Sequence, residues 1–468
     1  MNGMIKKILE FIKSERPRIA HNQSLIKIVE GDLMTYVREQ MQKELRPAAF
    51  ERAIGRVPPI NVFQKMVDKL TRIYAEGVKR ETENPTDQEL IAYYEDEAAV
   101  TEQMGFANRL FNSNGYSAIE PYVDNGVPRL RVIPADRFLV YSDNEINPLE
   151  PTIFIKLMGK DESGQKEIYY LYTATEFLAI DDSGSIRYDL MGDSEGINPY
   201  GRLPFVYVSS SKIDLLPTLD TDNFAMSKLP AILLGDLNYA TQYQSHSILY
   251  GIDIDSAEFD GNPDSVWILN STDKENASPS IGSITPTVAI DEVIKSIKEQ
   301  VALWFETKGL KATANGSLDV GNAASGIAKM IDESDTTVAL KKQVRIFQNA
   351  EADLWSLIAH MHSIWAKAGI IDERRAFSKD FDVLVEFAEI KPVVDMKLEI
   401  EKAEKLMALG ILTRERAAKM IYPDLTDEEI AAMLEEVAAE KEENMALFNA
   451  NMQEPNEDNQ DEQEDVEN

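Results

Sequence analysis

Hydrophobic residues recur at helical spacing in two long stretches of the second half of the chain. In the first stretch, acidic residues open the pattern, Lys308-Gly309 closes it, and the apolar positions follow at intervals of three and four: Ile290, Val293, Ile294, Ile297, Val301, Trp304 and Phe305. This order of charges, apolar positions and terminal glycine predicts an amphipathic helix.

A second apolar stripe runs through the segment between Gly326 and Gly369, which contains no internal Pro or Gly. Its members are Phe347, Ala350, Leu354, Leu357, Met361, Ile364 and Ala368. The pattern predicts a helix of about 44 residues, roughly 65 Å long at 1.5 Å per residue. Because such a rod exceeds the diameter of a small domain, we expect one chain to leave part of these apolar helix faces for other subunits.

The residues between the two helices, 308–324, are small or turn-forming and have almost nothing to bury. Loops of this length without structure of their own are usually functional or disordered. Two interpretations stay open from composition alone: a loop that faces a ligand or a channel, and an ordinary surface linker.

Residues 153–208 alternate strand patterns with turns, as in IFIKL at 153–157, DESG at 161–164 and EIYYLY at 167–172. This spacing predicts a β meander. Its aromatic residues, Tyr169, Tyr170, Tyr172 and Phe177, are expected to pack in the core and across strands, because only Lys166 supplies a nearby positive charge for nucleic-acid stacking. Further strands are predicted at 265–270 and 381–387.

Several short motifs, taken in order, resemble the portal proteins of tailed bacteriophages. They are PIN at 59–61 with KMVDKL at 65–70, NSNGY at 112–116 with IEPYV at 119–123, NPYGRLPFVYV at 198–208, ASGIA at 324–328, and LGILTRERA at 409–417 with DEEI at 427–430. Their order and spacing extend over most of the chain. The resemblance implies an α+β, portal-type fold with an α/β wing, a two-helix stem, a small α/β clip, a long tunnel helix and a helical crown.

The resemblance also implies boundaries for these parts. The wing would occupy 1–225, the stem helices 226–251 and 287–307, the clip 252–286, the tunnel loop 308–324, the long helix and the rest of the wing 325–394, the crown 395–450, and a disordered acidic tail 451–468. The first stem helix would start near Pro230, with the proline tolerated in its opening turn.

A portal protein would form a ring, a dodecamer in the virion, at the capsid vertex. Double-stranded DNA would pass through it without sequence recognition during packaging and ejection. Its partners would be the terminase large subunit, the major capsid and scaffolding proteins, and the head-tail adaptor. The channel residues implied by the tunnel loop are Lys308, Lys311, Asn315, Gly316, Ser317, Gly321 and Asn322, and the clip residues implied to bind partners are Asp264, Trp267 and Asp273.

The chain has 468 residues and a formal net charge of −33, unevenly distributed. Residues 427–468 carry sixteen Asp and Glu and one basic residue, Lys441. This composition predicts disorder at the end of the chain, either as a solubilising tail or as an electrostatic barrier. The acidity disfavours tight DNA binding, because Lys and Arg supply most affinity for phosphates, but it suits a conduit through which DNA must slide.

Catalytic motifs are sparse. The chain has no phosphate-binding Gly-x-x-x-x-Gly-Lys-Ser/Thr loop and no cysteine, and no cofactor is expected. His360 and His362, spaced i,i+2 on a helix, are expected to point to different faces. The acidic loop around Asp253 and Asp255 supports an alternative interpretation as a metal-dependent phosphodiesterase.

Neither a membrane span nor a signal peptide is expected from the sequence. No run of eighteen apolar residues occurs, so no membrane span is predicted. The first fourteen residues are expected to form a short terminal helix that packs on the body, because no signal-peptide cleavage pattern follows them.

Overall fold

The computed structural model describes residues 2–75, 77–192, 195–245, 248–252, 254–257, 269–271, 280–284, 289–310, 336–388, 396–422, 425–426 and 428–439. The chain divides into two compact units, Met1–Lys391 and Pro392–Asn468. The structure mixes helix and sheet, as the predicted α+β class requires.

Nine of the named helices lie in the first unit. They are α1 (Asn2–Val29), α2 (Leu33–Glu44), α3 (Pro47–Ile54), α4 (Val62–Leu70), α5 (Pro85–Ala98), α6 (Val100–Asn114), α7 (Thr221–Ser245), α8 (Ile290–Thr307) and α9 (Thr337–Ala368). The second unit contains α10 (Met396–Ala408) and α11 (Arg414–Ile421), and residues 428–439 are also helical.

The strands of the described residues form five small antiparallel sheets. They are β1 (Val78–Glu81), β2 (Tyr116–Asp124), β3 (Val127–Ile133), β4 (Phe138–Tyr141), β5 (Ile153–Lys160), β6 (Glu167–Tyr172), β7 (Phe177–Asp181), β8 (Val206–Ser209), β9 (Ile248–Ile252), β10 (Ile254–Ala257), β11 (Leu269–Ser271), β12 (Ser280–Ile284) and β13 (Leu384–Phe387). The strand orders are β4-β5-β6-β7, β3-β2-β8, β1-β13, β9-β12 and β10-β11.

The predicted meander is confirmed as the four-stranded sheet. β5 and β6 pair along their length, with Phe154 opposite Tyr172, and β6 pairs with β7, with Tyr172 opposite Phe177. The rings of Tyr172 and Phe177 stack with centroids 4.7 Å apart, and Tyr169 is buried. These aromatic residues therefore pack across strands and in the core, as expected.

The predicted N-terminal helix is longer than expected and joins two cores. Ile5, Ile8 and Ile12 at its start pack on the meander sheet. Leu25 and Ile28 near its end pack with α2, α3, α4, α7 and α8 in a second core. A single helix thus connects the meander with the helical layer that carries α7 and α8.

The first predicted stem helix differs from its expected bounds. The helix begins at Thr221 and ends at Ser245, and Ile248 already belongs to β9. Pro230 therefore lies inside the helix rather than in its opening turn. The earlier start follows from Asp220, whose Oδ1 accepts a hydrogen bond from the Asn223 backbone N–H at 3.1 Å and so caps the helix.

A close backbone contact holds α7 against the loop after α3. A Cβ built at Gly235 would lie 2.7 Å from Val57 Cγ2 and 3.3 Å from Val57 Cα. Only glycine allows this approach in the middle of a helix, and glycine costs about 1 kcal/mol of helix propensity there.

The long helix is confirmed over α9, which spans 32 residues, while its predicted N-terminal part falls outside the described residues. The chain itself covers most of the apolar faces of α8 and α9 that the structure describes, and the expectation that part of these faces is left for other subunits stays a prediction. Phe347, Leu354 and Trp355 of α9 are 0% exposed, because α5, α6 and the β2-β3-β8 sheet cover them. The wing strand predicted at 381–387 is confined to β13, which pairs with β1.

Candidate functional site

The start of the predicted tunnel loop is anchored by the end of α8. The Leu310 N–H donates to the Phe305 carbonyl at 3.0 Å, and the Gly309 N–H donates to the Glu306 carbonyl at 3.0 Å. Gly309 has a φ of 79°. These bonds form a Schellman motif, which requires the left-handed conformation that glycine adopts without strain. Leu310 is fully buried, so the chain leaves α8 from a fixed point.

Lys308 is held by a salt bridge to Asp220. The Lys308 ammonium contacts Asp220 Oδ2, and the lysine side chain is 20% exposed. The other carboxylate oxygen of Asp220 caps α7, and its backbone carbonyl lies 3.1 Å from His21 Nε2. Lys308 therefore ties the end of α8 to the start of α7, and its charge is largely neutralised at this position.

A cleft of about 500 Å³ opens beside this salt bridge. It lies between the ends of α6 and α8 and the start of α9, and Asn112, Asp220, Lys308 and Lys342 are among its lining residues. Gly309 precedes the segment 311–335 and Ala339 follows it, and a Cβ on Gly309 would lie 3.6 Å from Ala339 Cβ. The two described ends of the segment 311–335 therefore meet at this cleft.

Buried amides fix the start of α9 below the cleft. Gln343 Nε2 donates to Asn112 Oδ1 at 2.8 Å, and Asn108 Nδ2 donates to Gln343 Oε1 at 2.8 Å. Asn108 is 0% exposed. Hydrogen bonds between buried amides specify one register of two packed helices, because a slip would leave polar groups unpaired.

The middle of α9 is held by a buried ion pair. Arg80 of β1 donates to both carboxylate oxygens of Glu351, with Nη2–Oε1 at 2.6 Å and Nε–Oε2 at 2.9 Å. Tyr74 Oη and Trp355 Nε1 each donate to the same carboxylate at 3.0 Å. Burial and the neighbouring Glu351 raise the pKa of Tyr74 well above its usual value, so this hydroxyl stays a donor.

The two histidines of α9 point to different partners, as their spacing predicts. His360 Nε2 contacts the Tyr200 carbonyl at 2.7 Å. His362 Nε2 lies 2.6 Å from the Arg375 carbonyl, to which it donates, and its Nδ1 accepts from Tyr94 Oη at 3.0 Å. Burial lowers the pKa of His362, which keeps the ring neutral and suits this pair of bonds.

The other predicted site residues fall outside the described part of the chain. This holds for Lys311, Asn315, Gly316, Ser317, Gly321 and Asn322 of the tunnel loop, and for Asp264, Trp267 and Asp273 of the clip. Their roles stay predictions. In the acidic loop, Asp253 also lies outside, and Asp255 is described only as part of strand β10.

In the described ranges of the chain, no group of three or more His, Asp or Glu residues is placed to hold a metal ion. No helix within those same ranges has the length and apolar content needed to cross a bilayer.

Sequence reasoning missed the role of Asp220. A signal was available, because Asp before a helical run is a frequent N-cap residue. Gln343 and Glu351 had no such signal, since their partners Asn112 and Arg80 are separated from them by more than two hundred residues.

Comparison of the sequence with known protein families identifies the family of this chain. The family model described as "Phage portal protein, SPP1 Gp6-like" matches residues 6–445. No curated protein matched the chain.

Two solved structures are similar to the chain at low identity. The first, "Virion of native gene transfer agent (GTA) particle", is 10% identical, covers 79% of this chain and 92% of its own, and superposes with a TM-score of 0.34. The second, "Neck of empty GTA particle computed with C6 symmetry", is 11% identical, covers 77% and 88%, and has a TM-score of 0.33. Because both TM-scores lie below 0.5, the assignment rests on the family match alone. The chain belongs to the SPP1 Gp6-like family of phage portal proteins.

Proposed function

We propose that this portal protein forms a closed ring of identical subunits, a dodecamer in the virion, at the capsid vertex. Double-stranded DNA passes through the central channel during packaging and ejection. The observation that carries the proposal is the family match over residues 6–445, which covers nearly all of the first compact unit and extends into the second. A head-to-tail interface that closes on itself produces such a ring.

The parts of the chain have distinct roles in this proposal. The residues before α7, a part that the resemblance extended to 225, form the wing together with part of 325–394. In addition, α7 and α8 form the stem, 252–286 form the clip, and 395–450 form the crown. The clip, with Asp264, Trp267 and Asp273, docks the terminase large subunit and later the head-tail adaptor. Major capsid and scaffolding proteins surround the ring during assembly in the host cytoplasm.

We expect the purified protein to assemble into rings with a central hole. Native mass spectrometry would give the subunit number, and negative-stain images would show the hole. A protein that stays monomeric at high concentration, and also with capsid and scaffolding proteins present, would contradict the proposed function.

The tunnel loop, 308–324, lines the narrowest part of the channel in this proposal. Small side chains at Asn315 and Ser317 allow many copies to crowd one axis, and Gly316 and Gly321 supply conformational freedom. Because Lys308 already pairs with Asp220, Lys311 is the cation that offers a shallow contact to passing phosphates.

Changing Gly316 and Gly321 to Pro together, or Lys311 to Glu alone, is expected to lower packaging or retention of DNA while ring assembly stays normal. The physical reason is that both changes act on transient contacts and on loop freedom, which ring assembly does not need. Packaged genome length and DNA leakage from particles would be measured.

The matched control is Lys308→Met, which removes a lysine charge from the same loop at a position occupied by a salt bridge. It should change packaging less than Lys311→Glu does. Wild-type packaging and retention in normal rings of both loop variants would show that the loop does not touch the DNA path.

A further inference from the structure

The face of α8 opposite its buried side carries an acidic stripe, defined here as Glu292, Glu299, Leu303 and Glu306. The three glutamates are spaced by seven residues and are exposed, and Leu303 between the last two is 64% exposed. Lys295 also lies on this face and pairs with Glu299 at 3.9 Å, with both side chains more than two-thirds exposed. Such an exposed i,i+4 pair is weak, so it leaves Glu299 available to a stronger partner.

The face of α9 opposite its buried side carries a basic stripe, defined here as Val338, Lys341, Lys342 and Arg345. The three cations are exposed, and Val338 is 52% exposed. Within the described ranges, none of the three forms a salt bridge. The eight residues from Val338 to Arg345 include no acidic residue, although the chain has a net charge of −33.

The helices that carry the two stripes pack mainly in different cores, and their neighbouring ends share the cleft described above, which Glu306, Val338 and Lys342 all line. Ile294, Ile297 and Val301 fix the orientation of α8 in the core shared with α2, α4 and α7. Leu340 and Phe347 fix the orientation of α9 in the core shared with α5, α6 and the β2-β3-β8 sheet. Each stripe is therefore held outward by its own buried face.

We propose that the acidic stripe of one subunit packs against the basic stripe of the next subunit in the ring. The inference rests on the proposed ring and adds the surface that closes it. The charges are opposite, each stripe has one exposed aliphatic residue among its charges, and Val338 and Arg345 repeat the seven-residue spacing of the glutamates. Helices that meet along a shared seven-residue repeat keep one face in contact, with flanking charges selecting the partner.

The two stripes are different surfaces of one chain, so a contact between them is heterologous, and each subunit offers one stripe to each neighbour. A contact of this kind repeats around the ring until it closes. In this arrangement, protein carboxylates neutralise the three cations of the basic stripe, and the DNA phosphates contact other residues of the channel.

Charge reversal with rescue tests the pairing. One variant changes Glu292, Glu299 and Glu306 to Lys, a second changes Lys341, Lys342 and Arg345 to Glu, and a third carries all six changes. A matched control reverses three exposed glutamates outside the stripes: Glu83, Glu145 and Glu162. Thermal unfolding of the monomer would confirm that each variant folds, since every substituted side chain is exposed.

We expect each single-stripe variant to need at least a tenfold higher protein concentration for ring assembly, measured by native mass spectrometry and sedimentation. The variant that carries all six substitutions should recover assembly, and the control should assemble like the wild type. Normal rings in both single-stripe variants, or loss of rings that the combined variant does not recover, would overturn the pairing while leaving the ring itself established by the wild type.

A further outcome separates this role from DNA contact. If the Lys341, Lys342 and Arg345 reversals leave ring assembly unchanged but lower packaged genome length, the basic stripe serves DNA and the pairing is refuted. A wild-type protein that forms no ring would instead refute the proposed function.

Discussion

Replacing Glu351 with Ala is expected to lower the free energy of unfolding by about 3–5 kcal/mol, because it leaves a buried cation without its partner. The Glu351 side chain is 0% exposed, the Arg80 side chain is 5% exposed, and the two form a bidentate pair. Burial alone opposes the charge on Arg80, but the hydrogen bonds and charge of Glu351 prevail and raise the pKa of Arg80. After the substitution, the guanidinium keeps the partly exposed Glu95 at 3.2 Å and the Thr101 hydroxyl at 2.8 Å, but it loses its buried, bidentate carboxylate.

The measurement is urea unfolding of the monomer followed by circular dichroism. The control is Glu386→Ala, which removes an exposed carboxylate from β13, the strand paired with β1, and should cost less than about 0.5 kcal/mol. Changing Arg80 and Glu351 together to Met should recover much of the loss, because no charge then remains buried. Equal costs for Glu351→Ala and Glu386→Ala would show that the pair does not hold α9.

Replacing Phe305 with Ala is expected to lower the free energy of unfolding by about 3–5 kcal/mol, because it opens a cavity at the end of α8. Phe305 is 0% exposed, its ring lies 5.2 Å from that of Trp304, and its carbonyl accepts the hydrogen bond that closes the Schellman motif. The same change should loosen the fixed start of the predicted tunnel loop, since Leu310 packs in the same core.

Leu303→Ala is the matched control, because it shortens an exposed apolar side chain two positions earlier on the same helix. Its cost should stay within about 0.5 kcal/mol. Both variants should be measured below the concentration at which rings form, since association would add stability. A cost for Leu303→Ala close to that of Phe305→Ala would mean that α8 is not oriented as described.

Local patterns in the amino-acid sequence determined the type of most elements tested. The three- and four-residue spacing predicted α8 from Ile290 to Phe305, and the structure has it at Ile290–Thr307. Alternation and turn residues predicted the meander, and the spacing of His360 and His362 predicted their separate faces. These features follow from the geometry of a single helix or hairpin, in which side-chain direction repeats every 3.6 or two residues.

Boundaries were less well determined where a capping residue decided them. Pro230 suggested the first turn of a helix, but Asp220 caps that helix ten residues earlier. The choice between these two starts depends on which backbone N–H groups find acceptors and on the packing of the added turns, and sequence spacing does not report either.

Only the tertiary structure decided which charges are paired and which faces are covered. Lys308 meets Asp220 across 88 residues, and Arg80 meets Glu351 across 271. The apolar faces of α8 and α9, expected to need other subunits, are covered mainly by the chain itself, while the charged stripes on their opposite sides stay exposed. The pattern along one helix shows that two faces differ in polarity, but the element that packs on each face is brought there by chain segments far away in sequence.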